Sequence, residues 1–247
     1  MTLKIREIYS PNFDPKPRKN KNIRFLIFHY TGMKKEKEAI KRLVKIQSQV
    51  STHYFIRKNG EIIRMVPDLF TAWHAGASQW GKYKFLNKNS IGIEISNPGH
   101  QFGYVNFSKK QINSLTKLTK ILIKKYKIKP KNLLGHSDVA PDRKKDPGEK
   151  FPWKKLYKKK LGIWHNLSSK KLNYLRRKSI SVKENSFFIR DLAKFGYPNI
   201  ANFLKNKQRC NRLLTIAFQR RFRPELINGK VDQECLLIIK NLRRIKV

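Results

Sequence analysis

The hydrophobic pattern at the start of the chain predicts a buried strand followed by an amphipathic helix. Residues 23–29 form an apolar run that is too short for a helix and shows little alternation, as in a strand covered on both faces. His29 ends this run. Residues 34–47 place apolar side chains at helical spacing with charged residues between them, which indicates a helix with one face toward a core.

The segment around Glu94 alternates with the period of a strand. From Ile91 to Ile95, the three isoleucines point to one face, and Gly92 and Glu94 point to the other. Because glycine has no side chain, Glu94 is expected to be a lone carboxylate that faces a cleared space.

Turn and capping residues locate the other elements of this part of the chain. They predict an antiparallel hairpin of residues 53–57 and 61–66 around Asn59-Gly60, a long helix that begins with the capping box of Ser108 and Gln111, and a short strand at Leu133-Leu134 that leads His136 into an irregular loop over residues 137–153. Strands mixed with helices predict the fold class α/β, with a mixed β-sheet flanked by helices.

The remainder of the chain has a purely helical pattern. Residues 165–184 are polar and basic, and we interpret them as a linker between a domain of residues 1–164 and a small all-α domain of residues 185–247. Three helices are expected in the small domain: one that ends at Gly196, one stopped by Pro224, and one over residues 235–242. A bundle of this size is near the lower limit of stability, so we expect it to dock on the first domain.

Composition narrows the class of protein only a little. The chain has 57 Lys and Arg against 16 Asp and Glu, a formal net charge of +41, which favours contact with polyanions. The lysines are scattered through every segment and no nucleic-acid motif is recognised, so no nucleic-acid partner is predicted. Residues 1–25 lack the apolar core of a secretory signal, and no apolar run is long enough for a transmembrane segment. Cys210 and Cys235 do not predict a disulfide framework, and whether they pair is left open.

Three polar side chains are candidate ligands for a metal ion. His29 and His136 each follow an apolar strand, and Asp146 lies in the loop after His136, from where it can return as a third ligand. Catalytic zinc sites use three such ligands and keep an open position for water. The chain has 6 histidines, so spacing alone leaves other triples open, and a histidine beside a core strand is more often a structural residue.

Short sequence blocks carry a resemblance to a known family. They lie at residues 28–32, 51–56, 72–76, 89–94, 135–141 and 143–148. In this order and spacing, residues 20–155 resemble the zinc N-acetylmuramoyl-L-alanine amidases, a family that includes animal peptidoglycan-recognition proteins and some phage lysins. Within it, the chain most resembles a two-domain enterobacterial type. Residues 217–224, followed by Asn228-Gly229, resemble the helical peptidoglycan-binding domain of that type.

The resemblance implies a reaction and a set of residues. The implied substrate is peptidoglycan or soluble muropeptides, and the implied reaction is hydrolysis of the amide bond between N-acetylmuramic acid and L-alanine. His29, His136 and Asp146 would hold one Zn²⁺ per chain, Glu94 would be the general base, and Lys144 would stabilise the oxyanion. Amide hydrolysis requires groups of these types. Zinc activates water and polarises a carbonyl, a carboxylate accepts the proton, and a cation stabilises the developing charge. A monomer is expected.

Other residues of these blocks are open to two interpretations each. Trp73 is expected either to stack on a sugar ring or to pack in the core, and His74 is a candidate hydrogen-bond partner of the peptide stem. His53 is expected either beside the metal site or in a structural role on its strand. His100 and His165 belong to no motif and are assigned no role.

Two other functions compete with hydrolysis. Some relatives bind peptidoglycan without cutting it after losing a zinc ligand, but this chain fills all the ligand positions and keeps Glu94 and Lys144. A charge-driven nucleic-acid binder is the second alternative, and it predicts salt-sensitive binding without sequence preference.

Location, substrate form and the role of the tail also remain open. The resemblance implies the cell envelope, at the periplasm or the outer-membrane face, whereas the missing signal leaves the cytoplasm as an alternative. Intact and 1,6-anhydro substrates are not distinguished, nor is a stem-peptide preference. For the helical tail we expect targeting to peptidoglycan, with a structural brace as the alternative. Under the first role, a chain ending near Gly162 keeps its activity on soluble fragments.

Overall fold

The computed structural model describes residues 3–200 and 206–245, and a mixed sheet lies at its centre. The strands are β1 (Ile5–Glu7), β2 (Phe13–Asp14), β3 (Phe25–Tyr30), β4 (Tyr54–Ile56), β5 (Ile62–Arg64), β6 (Thr71–Ala72), β7 (Gln79–Trp80), β8 (Tyr83–Lys84), β9 (Ser90–Ile95) and β10 (Leu133–Gly135). The central sheet has 6 strands in the order β1-β5-β4-β9-β3-β10. Its pairs are parallel except for the β4–β5 hairpin, so the predicted mixed sheet and hairpin are confirmed.

Helices pack around this sheet and continue to the end of the described chain. They are α1 (Glu36–Val44), α2 (Lys109–Tyr126), α3 (His136–Val139), α4 (Trp153–Lys158), α5 (Ser169–Leu175), α6 (Val182–Phe195), α7 (Lys207–Phe222) and α8 (Gln233–Arg244). The capping box of Ser108 and Gln111 begins α2 as predicted. None of the helices in the described residues is both long enough and apolar enough to cross a lipid bilayer.

The register of the parallel strands sets up one functional edge of the sheet. His29 on β3 is the register partner of Glu94 on β9, and Ile27 is the partner of Gly92. Register partners on neighbouring strands point to the same face, so His29 and Glu94 lie side by side. β10 is parallel to β3 and ends at Gly135, immediately before His136. The carboxyl ends of β3, β9 and β10 therefore bring three candidate residues to one edge.

The loop predicted to be irregular over residues 137–153 is helical at its start. His136 is the first residue of α3, whose N-cap is Gly135. The Asp138 carboxylate accepts a hydrogen bond of 2.7 Å from the Gly135 backbone N–H, which satisfies one of the donors that a helix start leaves unpaired. The expectation of irregular structure was wrong for residues 137–139, where this aspartate caps the turn, whereas residues 140–152 contain no helix or strand, as predicted.

The segment predicted to be a linker also contains regular structure. Ser168 caps α5, and Leu172 of this helix is buried. α6 then begins at Val182 with a second capping box, formed by Ser181 and Glu184. Whether residues 165–184 separate two domains stays a prediction.

The helical tail packs directly on α3, the helix that begins with His136. One cluster of buried apolar side chains extends from Phe28 on β3 to Phe218 and Phe222 on α7. The buried Arg221 of α7 forms an ion pair of 2.5 Å with Asp138 of α3. The tail is therefore docked by an apolar core and by a buried charge pair.

Candidate metal centre

Three elements deliver the predicted ligands to one buried point. His29 lies near the carboxyl end of β3, His136 begins α3, and Asp146 lies in the loop that follows α3. This loop returns toward α3 because the Ser137 backbone N–H donates a 2.8 Å hydrogen bond to the Asp146 carbonyl oxygen. All three ligand side chains are buried.

The candidate ligand atoms form a tight triangle. The distances are 3.0 Å from His29 Nδ1 to His136 Nδ1, 3.0 Å from His29 Nδ1 to Asp146 Oδ2, and 3.0 Å from His136 Nδ1 to Asp146 Oδ2. A tetrahedral zinc ion with bonds of about 2.0–2.1 Å places its ligand atoms roughly 3.3 Å apart. The triangle therefore needs only a small expansion to hold such an ion.

The donor set also fits a cation. His136 Nε2 lies 3.1 Å from the Ala75 carbonyl oxygen, which accepts only, so Nε2 carries the ring proton and Nδ1 presents a lone pair. His29 Nε2 likewise contacts a group outside the ligand triangle, because it lies 3.1 Å from His74 Nδ1. Two imidazole lone pairs and one carboxylate are the ligands that zinc takes in catalytic sites.

Burial and neighbouring charges favour the protonation states that a metal ion requires. Burial, together with the nearby His136 and Lys144, lowers the pKa of His29 to about 4, so its imidazole is neutral near pH 7. Burial raises the pKa of Asp146, but His136 and His29 outweigh burial, because their positive charge when protonated holds this pKa well below its usual range. Metal ligands bind in these deprotonated forms.

Glu94 and Lys144 line the same cleft as the three ligands. The Oε2 atom of Glu94 is buried and has no hydrogen-bond partner among the residues that the structure describes. Burial and the Asp146 carboxylate raise the pKa of Glu94 to about 8, and the charge of Lys144 partly offsets this rise. The structure therefore brings all five predicted residues together, in a cleft of about 790 Å³.

The space over Gly92 is not open, contrary to the expectation from the strand pattern. The His74 ring fills it, since a Cβ atom added to Gly92 would lie 2.4 Å from His74 Cγ. His74 Nδ1 faces His29, and its Nε2 lies 3.2 Å from Ser90 Oγ. Both ring nitrogens thus contact protein atoms, which differs from the expected contact with a peptide stem.

His53 and Trp73 lie further from the ligand triangle. His53 is buried, its Nδ1 accepts a hydrogen bond from the Gly92 backbone N–H, and its Nε2 lies 3.1 Å from the Phe70 carbonyl oxygen. These contacts favour the structural role for His53. Trp73 is half-buried at the cleft wall, and its indole N–H donates a hydrogen bond to Asp14.

The rim of the cleft contains residues that the sequence interpretation left out. The Tyr30 hydroxyl lies 2.8 Å from His100 Nδ1, and His100 Nε2 lies 3.0 Å from the Glu149 carboxylate. Glu149 in turn faces Arg220 of α7 at 3.6 Å, which links the rim to the tail. The block of residues 143–148 ends one position before Glu149, so proximity to that block was the available signal. His165 lies elsewhere, beside Trp164.

Comparison with known proteins identifies relatives of this chain. The model of the family described as N-acetylmuramoyl-L-alanine amidase matches residues 19–149. The N-acetylmuramoyl-L-alanine amidase AmiD of Escherichia coli is 35% identical over 232 residues, which cover 89% of this chain and 82% of AmiD. The 1,6-anhydro-N-acetylmuramyl-L-alanine amidase AmpD of the same organism is 42% identical over 105 residues, which cover 42% of this chain and 55% of AmpD.

Solved structures of two relatives superimpose on most of the chain. E. coli AmiD in complex with the substrate anhydro-N-acetylmuramic acid-L-Ala-D-γ-Glu-L-Lys gives a TM-score of 0.77 at 34% identity, covering 90% of this chain and 88% of AmiD. AmpDh3 of Pseudomonas aeruginosa in complex with anhydromuramic pentapeptide gives 0.78 at 31% identity, covering 93% of each chain. The resemblance inferred from the sequence blocks is confirmed, and the chain belongs to the N-acetylmuramoyl-L-alanine amidase family.

Proposed function

We propose that this protein hydrolyses the amide bond between N-acetylmuramic acid and L-alanine in peptidoglycan or its soluble fragments. The observation that carries the proposal is the convergence of His29, His136 and Asp146 on one buried point, with Glu94 and Lys144 in the same cleft. Such a set serves metal-assisted hydrolysis of an amide.

The three converging side chains would hold one zinc ion per chain. A bound zinc ion polarises the scissile carbonyl and makes a water molecule more acidic. The pKa of His29 is lowered by burial, and the pKa of Asp146 is lowered by the neighbouring histidines, as described above. Because the triangle is buried and its ligand atoms are already at 3.0 Å spacing, little reorganisation is needed for binding.

Glu94 would move the proton during the reaction. Its carboxylate accepts a proton from the attacking water and passes it to the nitrogen of L-alanine as the carbon–nitrogen bond breaks. The products are a muramic acid carboxylate and a free amine. The Oε2 atom of Glu94 makes no hydrogen bond to the described residues, so it is available to accept this proton and to release it. Lys144 would place positive charge beside the oxygen on which negative charge develops.

The substrate form and the place of action follow the relatives. AmiD and AmpDh3 have been solved with anhydromuramyl peptides, so we propose that this cleft accepts the same chemical class. We further propose that the helical tail contacts peptidoglycan and that the enzyme acts at the cell envelope. Support comes from the superposition with AmiD, which includes most of the tail, and from relatives that act on bacterial cell walls.

Product analysis tests the proposed reaction. Incubation with anhydro-N-acetylmuramyl tetrapeptide is expected to release free peptide with an N-terminal L-alanine, as seen by mass spectrometry, and a chelator should abolish the release. Metal analysis tests the proposed ligand set. Because His136 would supply one of three ligands, His136→Ala should reduce the zinc content well below one per chain. Full zinc occupancy in that variant would remove His136 from the ligand set. Binding of the peptide without cleavage, in the presence of zinc, would support the non-catalytic alternative.

Lys144→Ala is expected to lower kcat with little change in KM, because a charge that acts on the developing oxyanion matters most in the transition state. A loss of about 10-fold to 10³-fold is the usual scale for one such donor. Steady-state kinetics on the soluble muropeptide measures both constants. Lys158→Ala, which removes a charge from the exposed face of α4, is the matched control. A rise in KM alone would make Lys144 a substrate-binding residue.

A further inference from the structure

One short segment contacts both ligand histidines. The ring of His74 faces His29, and the carbonyl oxygen of the next residue, Ala75, faces His136. The Asn87 side-chain oxygen accepts hydrogen bonds from the backbone N–H groups of His74 and Ala75, at 3.1 and 2.7 Å. Asn87 therefore fixes the position of the segment from which both contacts are made.

A chain of hydrogen bonds determines which nitrogen of His74 carries its proton. The Ser90 hydroxyl donates its only proton to the Leu86 carbonyl oxygen, at 2.6 Å. The Ser90 oxygen can therefore only accept from His74 Nε2, at 3.2 Å. A neutral imidazole has a single N–H group, so His74 carries it on Nε2 and presents a lone pair on Nδ1.

The same reasoning extends one step further, to His29. The lone pair of His74 Nδ1 lies 3.1 Å from His29 Nε2, so His29 must donate from Nε2. Its own lone pair is then on Nδ1, which points toward Asp146 Oδ2 and His136 Nδ1. The Leu86 carbonyl oxygen can only accept a hydrogen bond, so it fixes which atom is the donor in each hydrogen bond of this series.

Packing keeps the His74 ring in place. Ser90, Gly92 and Glu94 share one face of β9, and the ring lies against this face over Gly92, where any Cβ atom would clash. The ring of His29 meets it edge-on, with ring centroids 5.2 Å apart. Ser90 therefore contacts His74, and Gly92 leaves room for its ring, while Glu94 on the same face lines the cleft.

We propose that His74 and Ser90 are positioning residues that hold His29 in the tautomer with a free Nδ1, so that the metal site is formed before the metal binds. Together with the Ala75 carbonyl oxygen, which does the same for His136, they remove the need to shift a ring proton when a cation enters. The inference rests on the metal site of the proposed function. Neither residue touches the substrate in this role.

A matched pair of variants tests the contact. Asn and Leu side chains have nearly the same size, but only the asparagine would place an acceptor oxygen near the position of the His74 Nδ1 atom. His74→Leu is therefore expected to weaken zinc binding about 10-fold to 100-fold, the usual effect of removing a partner behind a metal ligand, whereas His74→Asn should stay close to wild type. Competition with a chromophoric chelator measures the zinc Kd of each full-length chain. His100→Gln, at the cleft rim, is the control for a lost imidazole that touches no ligand.

A second measurement does not depend on the variants folding or on enzymatic activity. In the full-length wild-type chain labelled with ¹⁵N-histidine, long-range ¹H–¹⁵N spectra report which nitrogen of each ring is protonated. We expect His29 and His74 to be protonated on Nε2 in the metal-free chain. A proton on His29 Nδ1, or equal zinc affinity of the Leu and Asn variants, would overturn the inference. If the tautomers are as expected but muropeptide is not cleaved, the proposed function fails and this inference stands.

Discussion

Glu94→Gln is expected to lower kcat by ~10² to 10⁴ while leaving the zinc content near one per chain. The amide keeps the shape of the carboxylate but cannot accept the proton of the attacking water. Since Glu94 is not among the three candidate ligand residues, metal binding should survive. Steady-state kinetics on soluble muropeptide and metal analysis of the same samples measure the two quantities.

The control for this substitution is a carboxylate outside the cleft. Glu38→Gln changes an exposed residue of α1 in the same chemical way and should leave kcat unchanged. A Glu94→Gln enzyme with wild-type kcat would show that another group accepts the proton. A zinc content well below one per chain would instead show that Glu94 helps to hold the metal.

The same substitution has a consequence for stability. In the metal-free chain, burial raises the pKa of Glu94 from 4.5 to about 8. The folded state then binds the Glu94 proton more tightly than the unfolded state, so stability is lost as the pH rises from about 4.5 through 8. Glu94→Gln removes this loss. Its melting temperature in the presence of chelator should exceed that of wild type at pH 8, and the difference should shrink at pH 5.

The convergence of the three candidate ligands was predictable from the sequence because the family resemblance singled them out and each lies beside a local signal. His29 follows an apolar run, His136 follows a short strand, and Asp146 lies within a family block. Parallel strands bring such residues to one edge of a sheet. Burial and the 3.0 Å spacing then follow from the fold and not from any one segment.

The neighbours of the ligands were harder to predict, because they depend on contacts between distant segments. The alternation of β9 correctly placed Gly92 and Glu94 on one face, but it could not show that the His74 ring comes from a separate loop to cover Gly92. Likewise, a helix over residues 137–139 depends on the Asp138 side chain, whose charge is balanced by Arg221 far along the chain. A local pattern contains neither contact.

The docking of the helical tail also depends on contacts between distant segments, which a local sequence pattern does not contain. Its helices were predicted from apolar periodicity, and docking on the first domain was expected from the small size of the bundle, but no pattern identified Arg221 as a docking residue. Its guanidinium pairs with Asp138 and donates a 2.9 Å hydrogen bond to the Leu133 carbonyl oxygen of β10. It also lies over the Trp153 ring, 4.3 Å from the centroid. These contacts support a structural role for the tail in holding α3, in addition to the peptidoglycan contact proposed above.

Arg221→Met is therefore expected to lower the free energy of unfolding by about 3–5 kcal/mol, the usual cost of removing one partner of a buried ion pair. Methionine fills most of the apolar part of the site, but among the described residues it leaves the buried Asp138 carboxylate with only the Gly135 N–H and the Tyr197 hydroxyl as hydrogen-bond donors. Urea denaturation of the zinc-loaded chain measures the change. Arg209→Met, on the exposed side of α7, is the control and should change stability by less than about 0.5 kcal/mol.

A double variant separates loss of the ion pair from loss of packing. Asp138→Asn keeps an oxygen for the Gly135 N–H and the Tyr197 hydroxyl but carries no charge. If the buried charge is the cause, Asp138→Asn combined with Arg221→Met should be more stable than Arg221→Met alone, because no unpaired carboxylate remains.

A chain ending at Gly162 loses both Arg221 and Tyr197, so it should unfold or lose activity on soluble muropeptide. Wild-type stability of Arg221→Met, or full soluble activity of the shortened chain, would show that the tail is not a brace and would leave peptidoglycan contact as its proposed role.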